Sequence, residues 1–156
     1  EPLITVALIL HDLAAVALLS FLTWQAAVMG DASGNPRPSF LTRHRAIDVS
    51  GLAPVIAGLL LTVVMLGATL YPSYRLVVRP FLEAHDLTRA NGAFEVKEHF
   101  AALAVLMMPA YWAVWRRPLA PAMAGTRRVL TWLLTGMVWW NFLVGHMLNY
   151  ISGLFA

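Results

Sequence analysis

LITVALILHDLAAVALLSFLTWQAAVM, residues 3–29, decides the fold. It is longer than the ~20 apolar residues a helix needs to cross the hydrocarbon core of a bilayer. Its only ionisable side chains are His11 and Asp12. It lacks a basic leader and exceeds the short apolar core of a cleaved secretory signal, so it is expected to stay as a span. Three further apolar runs follow, at about 49–71, 94–115 and 129–150. The reading is therefore an all-α integral membrane protein, an up-down four-helix bundle forming one transmembrane domain over residues 1–156.

Composition agrees: 60% of the residues are hydrophobic and 12% charged, a balance soluble domains rarely show. The chain holds no cysteine, which removes disulfides, thiolate metal sites and covalent c-type haem attachment within it. Any metal must then use histidine, carboxylate or methionine. The net charge of +3 is small, and no basic stripe with interleaved aromatics lies outside the apolar runs, so no nucleic-acid partner is expected. Phosphate-binding loops, nucleophile elbows and His-Glu-x-x-His pairs are likewise missing from the sequence.

Arginine placement orients the bundle. Residues 30–48 carry Arg37, Arg43 and Arg45, and residues 116–128 carry Arg116, Arg117, Arg127 and Arg128 with no acid. The outer loop, 72–93, sets Arg75, Arg79 and Arg89 against Glu83 and Asp86. The bias predicts a cytoplasmic side for the first and third loops of a bacterial inner membrane protein, with both termini and loop 72–93 outside. Trp112, Trp115 and Trp132 then read as interfacial belt residues, and Trp139 and Trp140 as packing bulk.

This orientation brings His11, His99 and His146 to one depth. At ~1.5 Å per residue, His11 lies about 12 Å, His99 about 8 Å and His146 about 6 Å from the outer ends of their spans. An ionisable group at such depth is costly and marks a functional site. In an up-down bundle the first and third spans are diagonal, so His11 and His99 are expected to face each other as the axial pair of a haem b, with His146 a substitute for either. Small residues around them, Ala7, Ala14, Ala15, Ala102 and Gly145, suit a flat macrocycle between helices as well as close helix packing. The same three histidines are also the candidate ligands of a copper or zinc site completed by Asp12, Glu95 or Met147. His44 and His85, in loops, read as solvated.

Around the histidines the sequence offers supporting groups. Arg75 and Arg79, four apart, form a candidate anchor for haem propionates; alternatively the segment is an interfacial helix broken at Pro80, its arginines meeting Glu83 and Asp86. Glu95 stands one turn before His99, where it orients the ring through Nδ1 or carries a proton. Asp12 is expected to pair with Lys97 or Arg75.

This layout, four spans with histidines near one face, resembles membrane-integral b-type cytochromes. The resemblance implies haem b and electron transfer between quinol and a periplasmic redox protein, often as the membrane anchor of a larger complex. With a single histidine layer, one haem near the outer face is expected. Two rival readings stay open: a histidine-rich membrane copper protein, and a structural subunit whose polar groups hold helices together.

Overall fold

A computed structural model describes residues 2–29, 48–116 and 118–154. Among them every regular element is helical. Helix α1 covers Pro2–Met29, α2 Ala53–Ser73, α3 Arg79–Ala84, α4 Thr88–Trp115 and α5 Ala124–Leu154. Short 3-10 turns at Val49–Leu52 and Pro121–Met123 lead into α2 and α5. Arg37, Arg43, His44, Arg45 and Arg117 lie outside the described residues.

The four long helices form a ring in which α1 packs on α2 and α5, and α4 packs on α5 and α2. Helices α1 and α4 are thus diagonal, as the up-down order requires. Two helical stretches are long and apolar enough to cross a membrane: Leu3–Met29, with a mean hydropathy of 2.2, and Val49–Ala84, at 2.3. Among the described residues α4 and α5 have the length but fall short of that apolarity, so of the four expected spans two have the length and apolarity to cross a membrane. The physical reason is visible in their sequences. Arg89, Glu95, Lys97 and Glu98 lie on α4, and Arg127, Arg128, Asn141 and His146 on α5.

Helix starts follow local rules. Asp48 accepts from the Ser50 N–H (3.0 Å) and hydroxyl (2.6 Å), capping the turn before α2. Pro54 sits in the first turn of α2, where a missing N–H costs nothing. Beyond Ser73 the chain continues as a π-helical turn, Tyr74–Val78, in which the Arg79 N–H donates to the Tyr74 carbonyl. Pro72 and Pro80 flank this turn. Each removes an N–H and crowds the carbonyl four residues back, which loosens the α pattern between them.

Two clusters make the core. The larger fills the half of the bundle nearest residues 48–53 and 115–131, around Leu18, Leu22, Ile56, Tyr111, Trp115 and Leu134. Its polar groups are paired across helices: the Tyr111 hydroxyl donates to Gln25 Oε1 (2.6 Å), Gln25 Nε2 to the Val49 carbonyl (3.2 Å) and Trp115 Nε1 to Thr131 Oγ1 (3.1 Å). The smaller cluster sits at the other end, where Leu82, Phe94, Val144 and Leu148 pack beneath the π-helical turn. Arg127 closes the connection between α4 and α5, donating to the carbonyls of Val114 and Ala120.

Candidate functional site

The end of the bundle bearing residues 74–87 collects the ionisable side chains. Its level is fixed by two close approaches. A Cβ at Gly67 would stand 3.3 Å from His11 Cε1 and 3.8 Å from its Nδ1, so the absent side chain on α2 makes room for the ring. A Cβ at Gly145 would stand 3.7 Å from Lys97 Cε, which lays the lysine stem along α5. Lys97 is also the group of α4 that acts electrostatically on His11, which sets the two pairs near one another along the bundle. His99 and His146 lie two residues from Lys97 and one residue from Gly145 along their helices.

A shared level is not a shared face. His11 points inward and is half-buried, with a buried Nδ1 that has no hydrogen-bond partner. The group of α4 acting on it across the diagonal is Lys97. His99 lies two residues on, about 200° around the helix, and is exposed. His146 is exposed too, its ring centroid 4.2 Å from that of Phe142. The expected facing pair, His11 and His99, is thus not brought together. Nor do the three rings converge: among the described residues no three histidine, aspartate or glutamate side chains form a metal-ligating group.

His99 has a particular setting. Its Nδ1 is 2.7 Å from the Glu95 carbonyl oxygen. A carbonyl can only accept, so Nδ1 carries the proton and Nε2 is left as the lone-pair nitrogen facing outward. The contact is to the Glu95 backbone oxygen and not to the carboxylate expected to orient the ring, so it does not depend on a glutamate at this position. His99 stands between the exposed Glu95, one turn before it, and an apolar stripe of Val96, Leu103 and Leu106, exposed by 42%, 44% and 75%. His146 Nδ1 makes the same i−4 contact to the Phe142 carbonyl, more loosely at 3.3 Å.

The two arginines do not act as one anchor. Arg79 pairs with Glu83 through Nε at 2.8 Å, the interfacial alternative. Arg75 lies with its guanidinium 5.8 Å from the Tyr71 ring centroid and within electrostatic range of Glu98. Asp12 forms no ion pair with Lys97 or Arg75 among the described residues. His85, exposed, contacts the Phe81 carbonyl through Nδ1 at 2.9 Å.

Sequence reasoning missed the aromatic stack that supports this end. Phe94 stacks on Tyr74 with centroids 3.4 Å apart at 13°, and the Lys97 ammonium lies 5.0 Å from the Phe94 centroid on the same helix. Tyr74 in turn donates to Asn91 Oδ1 (3.2 Å), tying the π-helical turn to α4. The signal in the sequence was Lys97 itself, one turn from Phe94 within an otherwise apolar stretch. A lysine so placed, half-buried and, among the described residues, without a carboxylate at ion-pair distance, is costly unless a ring face or a ligand compensates it.

Surface cavities among the described residues include one of about 470 Å³ between Asp86–Ala90 and Met147 and Ile151, and one of about 260 Å³ among Ser50, Pro54, Trp112, Trp115 and Arg116. Neither is lined by a histidine. No protein-family model, curated protein or solved structure matches this chain.

Proposed function

We propose that this chain is a membrane-integral, haem b-carrying subunit of an electron-transfer complex, its 74–87 end at the outer face of a bacterial inner membrane and its 30–48 and 116–128 connections in the cytoplasm. All four long helices span in this reading. The less apolar α4 and α5 direct their charges toward the two interfaces and the bundle interior. The observation that carries the proposal is His99: an exposed imidazole at the head of an apolar stripe, its Nδ1 held by the Glu95 carbonyl so that Nε2 faces outward. A lipid-facing stripe has no use for such a group, whereas a haem at a subunit boundary needs an Nε2 ligand in apolar surroundings. A second ligand would come from a neighbouring subunit or a second copy, and a haem so held would supply electron transfer between quinol and a periplasmic partner.

The test is an absorption spectrum of protein purified from membranes without added haem, before and after reduction. The expected result is a Soret band with reducible α and β bands. Stoichiometric copper by elemental analysis, with no Soret band, would transfer the assignment to the copper reading. A structural role is the second reading, favoured by the paired Gln25, Tyr111, Trp115 and Thr131 network, and it stands if neither haem nor metal is found.

A further inference from the structure

We propose that Lys97 and His11 form an interior binding site for the oxygen head of a lipid-soluble ligand, a carboxylate foremost. This rests on the membrane placement and not on haem. Among the described residues two side chains at this end have unmet capacity: His11, whose buried Nδ1 has no hydrogen-bond partner although the ring meets the Val63 backbone, and Lys97, whose ammonium makes no ion pair, with Glu98 in electrostatic range and the Phe94 ring centroid at 5.0 Å. They come from diagonal helices and interact electrostatically across the bundle. The carboxylates nearest in sequence, Asp12 and Glu98, make no ion pair with Lys97 among the described residues. The backbone is shaped to admit them, since Gly67 leaves the volume that the His11 ring fills and Gly145 lies along the lysine stem.

What the Lys97 ammonium lacks is an acceptor. An ammonium beside an imidazole, in surroundings of low dielectric, binds an anionic oxygen by a charge-assisted hydrogen bond and a neutral carbonyl more weakly. The route in is lateral. The end of α1 that carries His11 is poorly covered even on the histidine's own side, where Ile4 and Leu8 are exposed by 49% and 36%, so a ligand with an apolar tail reaches the pair from the lipid. A long-chain carboxylate and a quinone carbonyl supply the same acceptor from two sources.

The experiment is calorimetric titration of the full chain in nanodiscs of neutral lipid, against empty discs, with dodecanoate, decylubiquinone and dodecyltrimethylammonium. Saturable dodecanoate binding is expected, weakened about tenfold or more by Lys97→Gln and largely kept by Lys97→Arg. His11→Phe, which keeps a ring against Gly67 but removes both nitrogens, is expected to weaken it severalfold and serves as the readout should Lys97→Gln not fold. Decylubiquinone binding that these variants remove, with dodecanoate inert, would assign the same site to a quinone. Equal binding of the ammonium probe, unchanged affinity in both variants, or no saturable binding of either oxygen probe overturns the proposal. A spectrum without haem leaves these outcomes as they stand, so the two readings fail separately.

Discussion

Gln25 shows how single residues tie this bundle together. Its amide is fully buried in α1, yet both ends are used, one accepting from Tyr111 of α4 and the other donating to the carbonyl of Val49. Removing one partner strands the other in apolar surroundings. Tyr111→Phe is therefore expected to destabilise the protein by about 1 kcal/mol, the scale of interhelical hydrogen bonds in membranes, and Gln25→Leu in the same background should cost little more. Denaturation of the single and double variants in detergent checks this, and fully additive losses would show the pair to be uncoupled. At this scale the sequence was only partly legible. His11, His99 and His146 are recognisable as ionisable groups in apolar runs, and Glu95 as the neighbour of His99, because those relations are local. The part of Lys97 was missed because a lysine four positions into a span reads equally as snorkelling to the interface, and only the positions of Gly145, Phe94 and His11 show where it lies.

Elements are joined here by specific backbone chemistry. Helix α3 ends in a Schellman motif, with the Leu87 N–H donating to the Leu82 carbonyl (2.8 Å) and the Asp86 N–H to that of Glu83 (3.2 Å). Leu82 and Leu87 make the accompanying apolar contact. Asp86 takes the left-handed position with φ of 54°, a conformation glycine adopts without steric cost and a β-branched residue resists. Asp86→Gly is expected to leave stability unchanged or raise it by up to about 1 kcal/mol, and Asp86→Val to lower it by about 1–2 kcal/mol. Thermal unfolding monitored by circular dichroism measures both, and a stabilised Asp86→Val variant would contradict the account. Four long helices were legible from apolar length alone. The π-helical turn was not, although Pro72 and Pro80 announce a break, because the period a helix adopts between two prolines depends on how Tyr74 and Leu82 pack against α4.

For the whole molecule, helix order followed from the sequence, while azimuth did not. The up-down reading correctly made α1 and α4 diagonal, and it expected three histidines in one layer because the rise per residue is nearly constant. It put His11 opposite His99, because no local rule fixes which face of α4, the least amphipathic of the long helices, turns inward. Packing turns Ala90, Phe94, Ala104 and Tyr111 to the core, which carries His99 outward. The orientation proposed for the bundle is open to direct test, as the chain has no cysteine of its own. In intact cells with a permeabilised outer membrane, a membrane-impermeant maleimide should label Thr88→Cys and spare Ala120→Cys; the reverse pattern would invert the topology.

The measurement that bears most directly on the central claim is the haem-to-protein ratio of the purified chain, taken for the unmutated protein, His99→Ala, His11→Phe and His85→Ala prepared alike. The account predicts haem in the unmutated protein, its loss in His99→Ala, and its retention in the other two. Full haem occupancy in His99→Ala, or no haem in the unmutated protein, would contradict it.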